Sequence, residues 1–503
     1  MSTAMARSKT SSFIFEAKLL TSAQDEEALD RRMECVRRIK IQLVRHAIKQ
    51  IRKLRSDKRF RAAFPERQKF RTKEAVTGKV RRQRTALDRE LSDIRLGYGL
   101  SQYQFKLWVQ PLQHRYAKYI DSRTAQCIAD DIWAAADKVL FGKGKALRFP
   151  GKDDILSVES NDNTTGIRFR KGRILWKGLS IQVQRARHGT KERVYEDEVF
   201  RCRVKYCRIV RKQFPGRWHY YVQLVMEGIP PKKHETGCGR VGIDPGTMSA
   251  AAVSAQRCIL TALDEGVTDH SGELRRLARA LDRSRRADDP GNYNEDGTVR
   301  KGRRSWVYSK GCLRLQRKKR ALERKRAASL KARHEQLANE ILALGDDICT
   351  EEMNYRALQR RAKETTVNSR GRFNRKKRFG RSLENGAPAL LLRIIDRKLH
   401  YEGHELHKVD TRSFRASQYD HTTDGYEKKH LSRRHNIIQG RRVQRDLYSA
   451  FLLMNSAGDL THADRSLCIK GYDTFLANHD RCIADLINSN CRLLGSFGIR
   501  RPA

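Results

Sequence analysis

The chain has 503 residues, with 106 Lys and Arg against 58 Asp and Glu, and its formal net charge is +48. Its length allows roughly two to four domains with a substantial core, and 39% hydrophobic residues exclude a disordered basic tail. The excess of positive charge predicts a polyanionic partner, and nucleic acid is favoured because it presents many phosphates at once. An anionic membrane is the weaker alternative, because no apolar run approaches the ~20 residues of a spanning helix.

The cysteine pattern argues against disulfides and against a standard zinc ribbon. The 11 cysteines are scattered, no C-x-x-C occurs, and the closest pair is Cys202 and Cys207. The N-terminal stretch MSTAMARSKTSSFIFEAKLL has no apolar signal-peptide core, so we expect an intracellular protein.

The first half of the chain predicts a β domain interrupted by helices. SFIFEAKLL is typical of a strand, and Ser22 followed by Asp25 and Glu26 predicts a helix start. Residues 26–141 have apolar positions at helical spacing with Arg and Lys between them. Residues 147–228 contain alternating runs broken by Gly, which indicate hairpins and a small β-barrel. If the first strand pairs with them, the helical block is an insertion. IPPKKHETG is the predicted linker.

The second half predicts strands alternating with helices. VGIDPG, SAAAVSA and CILTAL follow one another and predict an antiparallel meander. A basic helix is expected over residues 305–344, then the strand DICTEEMN, the basic loop NSRGRFNRKKRFGRS, the helix APALLLRIIDRKLH and the strand HELHKVD. RRVQRDLYSAFLLMN and the stretch around Phe475 to Ile487 have helical patterns.

Three acids fall at informative places in these elements. Asp244 ends an apolar run before a Pro-Gly turn, Glu351 ends a later apolar strand, and Asp446 lies in a helix with small neighbours. Phosphodiester hydrolysis with two metals needs carboxylates that converge on ions roughly 3.5–4 Å apart. Taken singly, each acid is more often a turn residue, a strand-end charge or an ion-pair partner on a helix.

The combination resembles a known family. GIDPGTMSAAAVS is similar to the first RuvC motif of TnpB-type transposon-encoded RNA-guided nucleases and of the related compact type V CRISPR effectors. ICTEEMN resembles the second motif and VQRDLYSAFL the third. The resemblance implies that Asp244, Glu351 and Asp446 are the catalytic, metal-binding acids. It implies two Mg²⁺ ions, with Mn²⁺ able to substitute, and a cytoplasmic, nucleoid-associated protein of a prokaryote.

The resemblance also implies a domain order. The fold class expected is multidomain α+β, with an RNase H-like (RuvC) α/β nuclease domain and a β-barrel wedge domain that carries an inserted helical recognition lobe. The expected boundaries are the first wedge strand in residues 1–25, the recognition lobe in 26–141 and the wedge barrel in 142–235. The nuclease domain with motifs I and II and long basic helices follows in 236–410, then a target-nucleic-acid loop in 411–440, and motif III with C-terminal helices in 441–503.

The loop between motifs II and III departs from the family pattern. The family usually carries a four-cysteine zinc ribbon there, opening with Thr-Ser-Gln and a Cys. Ser417 and Gln418 are present, but Tyr419 stands at the position of the first Cys and no Cys follows. A replacement site from Asp420, His421, His430 and His435 is disfavoured by the irregular His spacing. We therefore expect no structural zinc.

These features favour an RNA-guided DNA endonuclease. A guide RNA would pair with target double-stranded DNA next to a short flanking motif, and a single RuvC site would hydrolyse phosphodiester bonds. One alternative is a guided DNA binder or transcriptional repressor that does not cleave. The other is an unguided transposase, which also needs three carboxylates. The oligomeric state is left open.

Overall fold

The computed structural model of the protein describes residues 10–70, 78–141, 144–214, 217–295, 297–302, 304–362, 364, 366–369, 371, 374, 379–430 and 432–501. Parts of the predicted first-strand segment, helical lobe, wedge domain, basic loop, target loop and C-terminal segment therefore lie outside the described residues. The chain divides into two compact units, Met1–Pro231 and Lys232–Ala503. Within the described residues, no helix is both long enough and apolar enough to cross a membrane.

The first unit consists of a helical segment that interrupts a sheet. Its elements are β1 (Ser12–Leu20), α1 (Ala23–Ser56), α2 (Lys58–Lys69), α3 (Gly78–Gly97), α4 (Gln102–Arg115), α5 (Ser122–Leu140), β2 (Ser157–Glu159), β3 (Arg168–Arg170), β4 (Arg173–Trp176), β5 (Leu179–Val183), α6 (Lys191–Val199), β6 (Val204–Gln213) and β7 (Trp218–Glu227).

The first helix starts where the sequence predicts. The Ser22 hydroxyl accepts from the backbone N–H of Asp25 at 3.1 Å, and the Asp25 carboxylate accepts from the Ser22 N–H at 2.9 Å. This reciprocal cap satisfies donors that a helix start leaves free. One face of α1 then buries apolar residues from Leu29 to Leu54 against neighbouring helices, each worth roughly 1.5–3 kcal/mol when fully buried.

The sheet of this unit has the strand order β2-β6-β7-β1-β5-β4-β3. The expected pairing of the first strand with the later hairpins is confirmed, since β1 is antiparallel to both β7 and β5. Helices α1 to α5 are thus inserted into the chain of a sheet. Asp121 links the two parts, because it caps α5 and accepts from Trp176 Nε1 at 2.8 Å. Among the described residues no pairing joins β2 to β3, so a closed barrel stays a prediction.

The second unit alternates strands and helices around a five-stranded sheet. Its elements are β8 (Arg240–Pro245), β9 (Ser249–Ser254), β10 (Cys258–Ala262), α7 (Ser271–Asp288), α8 (Lys310–Leu342), β11 (Asp347–Glu351), α9 (Tyr355–Leu358), α10 (Gly380–Gly386), α11 (Pro388–Tyr401), β12 (Leu406–Val409), α12 (Thr411–Phe414), β13 (Tyr419–Asp420), β14 (Gly425–Tyr426), β15 (His435–Ile438), β16 (Arg441–Gln444), α13 (Arg445–Met454) and α14 (Arg465–Asn488), with short 3₁₀ helices at Pro290–Asn292 and Gly495–Phe497.

This sheet has the order β10-β9-β8-β11-β12. The predicted meander is confirmed, because β8, β9 and β10 pair antiparallel, whereas β11 lies parallel to both β8 and β12. One face carries a core shared with α8 and α11, and the other carries a core shared with α13 and α14. The sheet is therefore covered by helices on both faces, which explains why its central strands are apolar on both sides.

One local expectation is wrong: Arg441 to Gln444 form a strand that pairs with β15, and helix α13 starts only at Arg445. Helix α6 lies between the predicted strand runs and was not predicted. The broader expectation of a multidomain protein that mixes helices and sheets is confirmed.

Candidate active site

Asp244 and Glu351 are neighbours at the ends of two parallel strands. The register pairs Cys349 with Gly242 and Thr350 with Ile243, so the next residues, Glu351 and Asp244, lie side by side. Because side chains alternate between the faces of a sheet, both acids project from the face that carries Gly242. The pairing is reinforced by the buried Thr350 hydroxyl, which donates to the Ile243 carbonyl at 3.0 Å.

Helix α13 brings Asp446 to the same face of the sheet. A Cβ built on Gly242 would overlap the backbone of Ala450 and Met454, so the helix lies directly on this strand. Asp446 is one helical turn before Ala450, about 6 Å along the axis. Asp244 is two residues beyond Gly242, about 6.6 Å along the strand. These matched distances place Asp446 beside Asp244 if the two elements run in opposite directions.

The electrostatics of Asp244 agree with this placement of the three acids. Burial raises the pKa of Asp244 well above its usual range, and the negative charges of Asp446 and Glu351 raise it further. The Arg445 guanidinium opposes this rise. Asp244 nevertheless keeps some solvent access, so water and ions can reach it. The structure therefore places Glu351 and Asp446, the other two acids that the sequence singled out, near Asp244.

Glu351 has its own local support. Burial raises the pKa of its carboxyl, and a hydrogen bond from the backbone N–H of Ala416 opposes the rise. Ala416 follows Arg415, a residue with a left-handed backbone (φ 48°). That turn directs the Ala416 N–H, which belongs to the 411–440 segment, towards the Glu351 carboxylate at the end of β11.

Asp446 lies in the first turn of α13 and is 8% exposed. The Gln444 side chain caps this helix by accepting from the Leu447 N–H at 2.7 Å. A carboxylate in the first turn is favoured by the helix dipole. Arg445 Nη2 contacts Asp446 Oδ1 at 3.1 Å, and Arg445 Nη1 donates to the Arg433 carbonyl at 3.1 Å. Asp446 thus has a partly buried counter-charge.

Tyr355 also belongs to this site. Its hydroxyl is buried and has no hydrogen-bond partner among the described residues. Burial raises the pKa of Tyr355, and the charges of Asp244 and Glu351 raise it further. The phenol therefore stays protonated and lies near two carboxylates. It comes four residues after Glu351, at the start of the short helix α9.

The donor set suits a hard divalent cation in its chemistry. Carboxylate oxygens are the ligands that Mg²⁺ prefers. A bound cation would also reduce the electrostatic repulsion among the three carboxylates. In the described part of the chain, however, no three His, Cys, Asp or Glu side chains are gathered closely enough to form a metal site. Asp446 and Glu351 act on the charge of Asp244, but the three side chains do not surround one point. A metal would require their side chains to move closer together.

The segment 411–440, apart from residue 431, is described and forms two hairpins. Where the first Cys of a ribbon would be, the Tyr419 hydroxyl donates to Asp424 Oδ1 at 2.7 Å, and its ring lies 5.0 Å from that of Tyr426. Buried His421 shares a hydrogen bond with the Tyr448 hydroxyl at 2.7 Å. The cluster of Tyr419, Tyr426, His421 and Tyr448 thus occupies this region.

The alternative zinc ligands have different neighbours. His430 Nδ1 lies 2.6 Å from the Ser432 hydroxyl, and His435 Nδ1 lies 3.0 Å from Arg442 Nη2. His421 faces Tyr448 and Tyr472. These contacts do not direct the four side chains Asp420, His421, His430 and His435 at a common ion. Absence of structural zinc stays a prediction.

A basic cleft lies between α7 and α8. It has a volume of about 520 Å³ and is lined by Arg276, Arg279, Arg283 and Lys318, with Glu273 as the acidic member. The three arginines are exposed, and Lys318 lies 3.6 Å from Glu273. An exposed groove with this excess of cations suits the phosphates of a nucleic-acid strand.

Sequence reasoning missed two members of the site. Tyr355 follows the second acidic motif, and a hydroxyl so soon after a strand-end acid is the signal that could have identified it. Ala416 contributes only its backbone N–H, so its side chain carries no signal. Arg445 was visible as the neighbour of Asp446, but its counter-charge role was not.

No family model and no curated protein matches the chain. Solved structures do resemble it. A cryo-EM structure of Cas12f1 with single guide RNA and target DNA has a TM-score of 0.43 and 11% identity, covering 89% of this chain and 99% of that one. A cryo-EM structure of a CRISPR-Cas12f ternary complex has a TM-score of 0.22 and 13% identity, covering 86% and 82%. With TM-scores and identities this low, function must be inferred from the residues of this chain.

Proposed function

We propose that the protein is an RNA-guided DNA endonuclease whose single RuvC-like site is formed by Asp244, Glu351 and Asp446. The observation that carries the proposal is the convergence of these acids from β8, β11 and α13, which are separated by roughly one hundred residues each. An ion pair that only stabilises a fold does not need two further acids near a buried carboxylate such as Asp244. A hydrolytic site does, because the acids must bind cations.

The proposed partners are guide RNA and double-stranded target DNA. The net charge of +48 supports a protein that neutralises many phosphates. The cleft lined by Arg276, Arg279, Arg283 and Lys318 is a candidate path for one strand in the second unit. The proposed domain roles are an RNase H-like nuclease in the second unit, and a wedge sheet with an inserted recognition lobe in the first. We place the protein in the cytoplasm of a prokaryote, at the nucleoid.

Asp244, Glu351 and Asp446 would hold two Mg²⁺ ions, for which Mn²⁺ could substitute. The ions would supply Lewis acidity for attack of water on a phosphodiester. The chain's own residues do the positioning: the Ala416 N–H holds Glu351, and Arg445 balances the charge of Asp446. Structural zinc is not part of the proposal. Elemental analysis of purified protein should find less than one zinc per chain, and a full equivalent would overturn that part.

The experiment has two arms. RNA that copurifies with the protein is sequenced, and the protein–RNA complex is then given Mg²⁺ and a plasmid that carries a matching target. We expect a discrete RNA species and cleavage only of the matched plasmid. An RNA-free protein that still joins or cuts DNA would identify the transposase alternative and refute the proposal.

A guided DNA binder that does not cleave is the second candidate. It is favoured by the lack, in the described residues, of a preformed group of three metal ligands. It predicts discrete copurified RNA and tight binding to matched DNA, with no product at any Mg²⁺ or Mn²⁺ concentration. The same two-arm experiment separates it from the nuclease.

A further inference from the structure

Tyr355 presents an unused hydrogen-bond donor inside the candidate site. Its hydroxyl is shielded from water and has no partner among the described residues. A buried hydroxyl without a partner is unfavourable, and native proteins rarely keep one without a reason. The reason is not packing alone, since Phe would fill nearly the same space without the cost.

The complement to this donor is Asp244, which the register of β8 and β11 sets beside Glu351. Of the two acids whose charge acts on Tyr355, Asp244 has the larger effect and Glu351 the smaller. No hydrogen bond to the Asp244 carboxylate is found in the part of the chain that the structure describes. The Tyr355 hydroxyl, a donor without an acceptor, therefore lies near the Asp244 carboxylate, an acceptor without a donor, at the end of β8.

The chain after β11 holds Tyr355 in place. The Tyr355 N–H donates to the Met353 carbonyl and the Met353 N–H to the Glu351 carbonyl, both at 3.0 Å. The Asn354 side chain then caps α9 by accepting from the Ala357 N–H at 3.0 Å. These bonds fix the main chain that carries Tyr355 directly to the strand end that carries Glu351. The main chain of Tyr355 is thereby tied to the strand end of Glu351, which the register sets beside Asp244.

We propose that Tyr355 is a positioning residue that donates its hydroxyl hydrogen to the carboxylate of Asp244 when a divalent cation gathers the three acids. This inference rests on the proposed function. Carboxylates that ligate metals are commonly held by such outer hydrogen bonds, and loss of one costs about 10–100-fold in metal affinity or activity. The hydrogen bond would hold the Asp244 carboxylate in one orientation.

The test compares Tyr355→Phe with wild type and with the control Tyr401→Phe. Tyr401 ends α11, which packs on the opposite face of the sheet. Mn²⁺ binding by the protein site is measured by calorimetry without DNA, as binding to the protein–RNA complex less binding to the free RNA, and the Mn²⁺ dependence of cleavage is measured separately. For Tyr355→Phe we expect Mn²⁺ affinity to fall about 10–100-fold, with guided DNA binding unchanged. Tyr401→Phe should match wild type in every measurement.

Thermal unfolding in chelator supplies the readout that separates positioning from structure. Without metal, Tyr355→Phe should unfold at the same temperature as wild type or higher, because it removes an unpaired buried hydroxyl. A lower unfolding temperature together with normal Mn²⁺ affinity would show a structural role and overturn the inference. If wild type binds Mn²⁺ and cleaves while Tyr355→Phe binds it equally well, only this inference fails. If wild type binds no Mn²⁺, the proposed nuclease function fails with it.

Discussion

Gly242 lies directly beneath Ala450, so closely that no side chain fits between strand β8 and helix α13. This contact sets the separation of the two elements that carry Asp244 and Asp446. It also explains why the small residue Gly242 stands two positions before Asp244, and why Ala450 stands four positions after Asp446. Helix α13 must therefore contact strand β8 for Asp446 to lie near Asp244.

Gly242→Ala should disrupt the site from a distance. Its Cβ would overlap main-chain atoms of Ala450 and Met454, which cannot rotate away as a side chain can, so α13 must shift. Overpacking of this kind typically costs about 1–3 kcal/mol. We expect a lower unfolding temperature and at least a tenfold loss of cleavage. The matched control is Gly458→Ala, at an exposed loop position where a Cβ meets nothing within 4 Å. Normal activity of Gly242→Ala would disprove the close-contact account.

Asp244→Asn should stabilise the metal-free protein at neutral and alkaline pH while abolishing cleavage. The pKa of Asp244 is raised in the fold by burial and by Asp446 and Glu351. Its contribution to stability is thus fully present below the usual pKa of Asp and is lost as pH rises through the raised value. Asn removes the charge that causes this loss.

Thermal unfolding in chelator at several pH values checks this expectation. The unfolding temperature of Asp244→Asn should exceed that of wild type by a few degrees at pH 8, and the gap should narrow towards pH 4. The control Asp459→Asn changes an exposed acid whose pKa is lowered by Thr461, so it should show no gain at pH 8. A lower unfolding temperature for Asp244→Asn at pH 8 would contradict the repulsion among the three acids.

Arg445→Gln should move the acid limb of the cleavage rate to higher pH. Arg445 lowers the pKa of Asp244, so its removal makes Asp244 harder to ionise. Cleavage at pH 6.5 should therefore fall more than cleavage at pH 9. Arg441→Gln, which removes an exposed charge paired with Asp480, is the control and should leave the profile in place. An equal loss at every pH would indicate instead that Arg445 contacts a phosphate.

Much of the fold follows from local sequence, because periodicity and caps act over a few residues. The cap at Ser22, strand β11 and helix α11 were all predictable in this way. The strand Arg441–Gln444 was not, because it is too short to show alternation and runs directly into α13. Its strand character comes from pairing with β15, which local pattern does not reveal.

The three acids of the candidate site were predictable from the sequence, but the groups that contact and orient them were not. Asp244, Glu351 and Asp446 were identified from strand ends and neighbouring small residues together with a family resemblance. The Ala416 N–H reaches Glu351 across 65 positions of sequence, and Tyr355 acts through the spatial position of its hydroxyl. The Ala416 contact depends on how distant segments pack, so no spacing rule would have found it, whereas Tyr355 lies only four residues after Glu351.

The central claim is tested most directly by Asp446→Asn in the complex with copurified RNA. Cleavage of a matched plasmid and binding to a matched duplex are measured together, with Asp459→Asn as the control for loss of one carboxylate in the same unit. The account predicts that Asp446→Asn binds the duplex as wild type does and cleaves at least a hundredfold more slowly, because a hydrolytic metal ligand is lost, while Asp459→Asn does both normally. Near-normal cleavage by Asp446→Asn would contradict the account, because the three acids would then not form one hydrolytic site.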